Sequence, residues 1–258
     1  MSRKSRRIRY LILLLILLAV AANEAINKLR VASWERALVV RIYAINGDFM
    51  SGSAAYIDSL VLADFKPIER FINNEARRYR IPVDAVRLEY SNKLEMMPPQ
   101  LPLQSSVLDN IIWSLRFRAW ALYWYFVDDS NSADINLFVN YFDTDTTQSL
   151  RHSVGLQGGM IGLINAFANK SYKGSNNVVI THEIMHTLGA SDKYGQSNQP
   201  LYPSGYAEPY QLPLYPQRKA EIMGGRIPLS ATLAKMPQSL KQVVVGVITA
   251  SEINWNVE

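Results

Sequence analysis

The order of elements in this 258-residue chain predicts an α/β (α+β) fold: a sheet packed on one central helix, a small loop-rich C-terminal part, and a transmembrane helix ahead of them. Three observations carry that prediction. A basic tip followed by an aliphatic run opens the chain. A strand, a helical stretch and further strands come next. A late helix is then apolar on most sides, as a helix buried under a sheet must be.

The tip carries Arg3, Lys4, Arg6, Arg7 and Arg9, and Leu11 to Ala22 is almost unbroken aliphatic sequence. Positive charge followed by an apolar run marks a signal peptide or a signal anchor. The run is short for a span of ~20 residues, but Ile8 and Tyr10 extend it at one end and Ala25 and Ile26 at the other. Ala19-Val20-Ala21 resembles a signal-peptidase site, which leaves a cleaved, secreted form as the alternative. Asn23 to Leu29 reads as a helix that continues, and this favours an uncleaved anchor over residues 1–30. The positive-inside rule keeps the tip cytoplasmic and exports residues 31–258, into the periplasm of a Gram-negative cell.

The tip also explains the net charge of +5. Its five cations leave 22 basic residues to balance 22 acidic ones in the rest of the chain. No dense Lys/Arg cluster recurs after Arg9, so a nucleic-acid partner is not expected. The lipid bilayer is the partner expected of the N-terminal helix. The absence of cysteine excludes a disulfide framework, a thiolate metal site and a cysteine-switch propeptide.

Within residues 31–258, read as one domain, Ala37 to Ile45 is a buried strand ending at the Asn46-Gly47-Asp48 turn. Ala54 to Tyr79 has helical spacing, and Pro67 separates two helices or starts the second. Val86 to Tyr90 alternates as a short strand, and Met97 to Pro102 is a loop. Ile111 to Phe126 is aromatic-rich and fits a helix or a strand, with core packing as its purpose. Asp134 to Phe142 reads as a strand, and Val154 to Phe167 as strand and turn. Asn176 or Asn177 is positioned to cap a helix beginning near Val178. The Pro- and Tyr-rich stretch from Gln199 to Pro216 resists regular structure.

That last helix holds Thr181-His182-Glu183-Ile184-Met185-His186-Thr187-Leu188-Gly189-Ala190-Ser191-Asp192. His182 and His186 lie one turn apart on one face, where two neutral imidazoles can bind a divalent metal, zinc above all. Glu183 projects roughly 100° round the helix, beside the metal without ligating it, as a base for a water requires. Only three histidines exist in the chain; the third, His152, reads as a structural or surface group. Gly189 can take the left-handed conformation, stop the helix and bring Asp192 back to the metal. Two histidines and a carboxylate leave a fourth position for water, the arrangement of a catalytic zinc.

The pattern H-E-x-x-H-x-x-G-x-x-D resembles the metzincin clan of zinc metallopeptidases, in the minority form whose third ligand is aspartate. Ala220-Glu221-Ile222-Met223-Gly224-Gly225 is similar to the clan's methionine-containing turn, with Met223 as the apolar floor below the imidazoles. The segment His182 to Trp255 also looks like that of uncharacterised membrane-anchored bacterial proteins with an H-E-x-x-H-T-L-G-A-x-D-K-Y motif.

The resemblance implies a zincin-type mixed sheet on the active-site helix, Zn2+ as cofactor, a peptide or protein as substrate, and Glu183 as the general base. Gly225 stands where some metzincins have a tyrosine, so Tyr194 or Arg226 is left to supply an oxyanion donor or a contact behind the ligands. A thermolysin-like zincin with Glu221 as third ligand is the alternative at the metal. A hydrolase of a non-peptide envelope amide and a zinc-bearing binding module without turnover are the alternatives in function.

Overall fold

The computed structural model describes residues 26, 33–82, 84–94, 96–102, 106–127 and 133–255. The basic tip and the apolar run of the predicted transmembrane helix lie outside them. Among the described residues no helix is long and apolar enough to cross a membrane.

The centre of the fold is β1 (Leu38–Asn46), whose near-continuous apolar run is what a strand covered on both faces needs. It pairs in parallel with β2 (Val86–Leu94) on one side and with β3 (Ile135–Phe142) on the other. The parallel β5 (Ile161–Phe167) follows β3, and the short β4 (Val154–Leu156) closes the edge antiparallel to β5. The order is β2-β1-β3-β5-β4, a mixed sheet. Arg41 enters this apolar strand because Glu89 on β2 meets it at 2.7 Å.

Parallel neighbours need crossovers, and helices supply them. Between β1 and β2 run α1 (Ser51–Asp58), a 3-10 turn at Leu62–Asp64, and α2 (Lys66–Arg78). Pro67 sits in the first turn of α2, where its missing N–H costs nothing. Between β2 and β3 runs α3 (Val107–Val127), so the aromatic stretch is helix rather than strand. Alternation sorts the sheet's side chains. Val40, Ile42, Leu137 and Val139 face α1, α2 and the central helix α4 (Lys173–Leu188). Tyr43, Ile45 and Phe138 face Trp113 and Phe117 of α3.

The start of α4 differs from the sequence expectation. The helix begins at Lys173, and Asn176 and Asn177 are buried within it rather than capping it. The side chain of Asn176 accepts from Phe167 N at 3.2 Å and donates to Phe167 O at 2.9 Å, tying the helix to the end of β5. Asn177 donates to Asp64 O at 2.9 Å. The helix has no side-chain cap of its own; Asn169 caps the short 3-10 turn Lys170–Tyr172 that leads into it, accepting from Ser171 N. An asparagine suits both tasks, and only tertiary context decides between them.

After α4 the chain is loop-rich. Its regular pieces are β6 (Ala220–Glu221) with β9 (Val243–Val244), β7 (Ile227–Pro228) with β8 (Ala234–Lys235), and α5 (Val247–Glu252). Ile222, Met223, Val243, Val245 and Ile253 join the core beneath α4, so this part completes the domain that β1 begins.

Candidate metal centre

His182 and His186 project from one face of α4 with ring centroids 4.7 Å apart. The helix stops at Gly189, which takes φ 110°, a left-handed conformation open to glycine at little cost. The N–H of Ala190 then closes back on Met185 O at 2.9 Å. This reversal carries Asp192 over the histidines, where its Oδ1 lies 3.1 Å from Nε2 of both.

The other nitrogen of each ring is fixed by a carbonyl. His182 Nδ1 meets Ile222 O at 2.9 Å, and His186 Nδ1 meets Ala190 O at 2.8 Å. Carbonyls only accept, so both Nδ1 atoms carry hydrogen, and each ring turns its Nε2 inward. Two ring nitrogens and a carboxylate oxygen face one another, an arrangement that suits a shared cation, a proton or a metal. The three residues could hold a metal ion: their ligand atoms all lie within 4.8 Å of one another. Carbonyl-oriented histidines are the usual support of such a ligand set.

The electrostatics agree with a site short of positive charge. Burial disfavours the charged form of His182, yet its hydrogen bond to Asp192 and the charge of Glu183 outweigh this and raise its pKa. Burial would raise Asp192 as well, but the two imidazoles reverse that and hold it well below the usual carboxylate range. Burial pushes Glu183 up, and the imidazoles and the Gly155 N–H only partly pull it back. Glu183 is buried, and its Oε2 has no hydrogen-bond partner among the described residues. A buried carboxylate oxygen left open beside a ligand set is where a proton-donating water belongs.

Glu221 is elsewhere. It is fully buried, and its two oxygens accept from Met223 N (2.7 Å), Gly224 N (2.9 Å), Gly246 N (2.9 Å) and Thr249 Oγ1 (2.7 Å). Those four donors fold the turn around Met223, and the ligand group among the described residues does not include Glu221. Met223 is fully buried next to Ile222, the residue whose carbonyl orients His182.

Tyr194 stands at the site, its ring centroid 6.1 Å from that of His182. Its phenol is pushed up to about 12, by burial first and then by the charge of Asp192 and a hydrogen bond to it. His182, Glu183 and Tyr194 open onto a cleft of about 500 Å³, on whose wall Arg226 and His152 also lie. Arg226 is half-buried, and His152 is exposed.

Sequence reasoning missed what holds Asp192 in place. Glu252 at the end of α5 accepts from Ser191 N (3.0 Å), Ser191 Oγ (2.6 Å) and Lys193 Nζ (2.7 Å). Lys193 is buried and also donates to Ser191 O at 3.0 Å. The residues on either side of Asp192 are thus clamped to one carboxylate. Lys193 was adjacent to the motif and could have been noticed. Glu252 lies 61 residues beyond Ser191 and gave no signal. Gly155 of β4 is a second such residue, with no mark in the sequence beyond its being glycine. A Cβ there would lie 2.7 Å from His186 Cβ and 2.5 Å from Glu183 O, so only glycine lets the edge strand pack this closely on α4.

No protein-family model matches the chain, and no curated protein matches it. A solved structure titled "Structure of a chaperone-substrate complex" is similar at a TM-score of 0.40 and 16% identity, over 85% of this chain and 34% of that one. This chain thus spans about a third of the length of that chain, and at such a score the likeness carries no argument about fold or function.

Proposed function

We propose that the chain is a zinc metallopeptidase of metzincin-like type, anchored in a membrane by its N-terminal segment with residues 31–258 outside the cytoplasm. One observation carries the chemistry: three convergent ligand atoms, His182 Nε2, His186 Nε2 and Asp192 Oδ1, beside a buried Glu183 oxygen that has no partner. Two imidazoles and one carboxylate are a donor set that suits zinc. When bound, the ion supplies Lewis acidity, which makes a water acidic near neutral pH and polarises a carbonyl.

The chain's own residues do the rest. Glu183 Oε2 accepts the proton of the attacking water and returns it to the leaving amine. Its raised pKa moves it toward the range where both transfers are efficient. The carbonyls of Ile222 and Ala190 hold Nδ1 of each histidine and keep both rings turned with Nε2 toward Asp192. Tyr194, with its phenol at about 12, stays protonated and transfers its hydrogen bond from Asp192 to the developing oxyanion. Arg226 adds a fixed positive charge on the cleft wall. The cleft offers Phe167, Val179 and Met236 for apolar side chains and Gln148, Asn198 and Gln238 for peptide groups, which suits an extended peptide.

The test is hydrolysis of a broad peptide library by the zinc-loaded full chain, wild type against Glu183→Gln. Loss of the base should lower kcat/KM by about 100-fold or more. Equal rates in the two proteins, or no zinc-dependent hydrolysis of any peptide, would overturn the proposal.

A further inference from the structure

Helix α3 is apolar on both sides. Its inner side packs Trp113, Phe117 and Ala121 against Tyr43, Phe138 and Leu163 of the sheet. Its outer side presents Leu108, Ile111, Ile112, Leu115, Leu122 and Tyr123 to solvent, each between 42% and 64% exposed. The helix has three charges, Asp109, Arg116 and Arg118. Asp109 is occupied with Ser106, and Arg118 turns inward to the carbonyl of Gly158. A surface helix normally carries a polar outer face, and one that is apolar all round is covered on both sides. The outer stripe exposes on the order of 500 Å² of apolar surface, the upper end of what a free monomer shows.

We infer that this face of α3 docks on the surface of the lipid bilayer to which the N-terminal run tethers the domain. The inference rests on the anchor reading of that run and is independent of the metal chemistry. Two features favour a bilayer as the occupant. The apolar run ends at Ala22, and eleven residues separate it from Trp34. At no more than ~3.6 Å per residue that tether spans at most about 40 Å, so the domain is held at high effective concentration against the membrane.

The topology also orients the stripe. Val40 of β1 is in register with Ile135 of β3, so both strands start at the same end of the sheet. The tether enters there, and the C-terminal end of α3 leads there too, bringing the exposed Leu122 and Tyr123 to the tether's side of the domain. A tyrosine such as Tyr123 favours the membrane–water interface. The sheet lies between α3 and α4, so a domain seated on α3 turns its metal cleft away from the bilayer.

The chain has no cysteine, so single substitutions can carry a label. Leu108→Cys, Leu115→Cys and, as a control in the C-terminal loops, Leu212→Cys are labelled with an environment-sensitive fluorophore in the full chain. Each protein is reconstituted into phosphatidylcholine vesicles and exposed to a lipid-borne or an aqueous quencher. Docking predicts that labels at 108 and 115 are blue-shifted and quenched several-fold more by the lipid-borne reagent than the label at 212. The inference is overturned if they are as open to aqueous iodide as the control. It is also overturned if they are shielded from both quenchers, which would mean that a second copy, another protein or the chain's own N-terminal segment covers the face. Failure of the protein to float with vesicles would overturn the anchor reading and the docking together.

Discussion

Replacing Glu252 by alanine should loosen the metal site from 61 residues away in sequence. The carboxylate accepts three hydrogen bonds, two from Ser191 and one from Lys193, whose side chain is 3% exposed. Removing one partner of such a pair leaves a buried ammonium without its counter-charge, which costs about 3–5 kcal/mol when both groups are buried. Glu252 is partly solvated, with 28% of its side chain exposed, and Lys193 keeps the carbonyl of Ser191, so a loss of about 2 kcal/mol is the better expectation. Asp192 sits between the two released residues, so part of that loss should appear as weaker metal binding, on the order of 10-fold in zinc Kd. Urea denaturation of the metal-free protein reads the first quantity, and competition against a zinc chelator reads the second. The double variant Glu252→Ala/Lys193→Met should recover stability relative to the single one, because no unpaired charge remains. An unchanged zinc Kd in Glu252→Ala, with stability lowered, would refute the clamp's role in positioning Asp192.

Two further predictions concern other parts of the same frame. Gly155→Ala puts a methyl within 2.7 Å of His186 Cβ and 2.5 Å of the Glu183 carbonyl, so β4 must retreat from α4; overpacking of this kind costs about 1–3 kcal/mol, and Tm should fall by roughly 5 °C. Calorimetry on the wild type and the variant checks this, and an unchanged Tm would mean that the strand moves freely. Stability should also fall in acid: burial alone would raise Asp64 and Glu252, but the Lys173 ammonium reverses this for Asp64, and Lys193 and Ser191 reverse it for Glu252, leaving both pKa values lowered. Their contribution is complete above the ordinary carboxylate pKa of about 4 and is lost as pH falls through the lowered values; urea midpoints measured from pH 6 downward should decline there, less steeply in Glu252→Gln.

Much of this architecture was legible in the sequence because single physical demands left marks there. A strand covered on both faces needs a near-continuous apolar run, and Leu38 to Ile45 has one, broken only by Arg41. A proline is tolerated only at a helix start, and Pro67 marked the start of α2. A helix reversal needs a residue that takes positive φ, and Gly189 predicted the return of Asp192 to the histidines. The rest depended on contacts that sequence does not encode locally. Asn176 and Asn177 could cap a helix or bind a distant backbone, and β5 and Asp64 decided for the second. Glu221 had the residue type of a metal ligand, but four donors from the turn and from α5 claim it. Aromatic residues suit helix and strand alike, so only packing on Tyr43 and Phe138 makes Val107–Val127 a helix. The clamp by Glu252 joins two segments with no shared pattern.

Zinc binding by equilibrium dialysis tests the central claim most directly, with wild type, His186→Ala, Asp192→Ala and Glu221→Gln compared side by side. A centre built from His182, His186 and Asp192 predicts one zinc per wild-type chain. It also predicts loss of tight binding in the first two variants, and zinc still bound at wild-type stoichiometry by Glu221→Gln wherever that variant folds. A wild-type chain that binds no zinc, or an Asp192→Ala chain that binds it as tightly as the wild type, would contradict it.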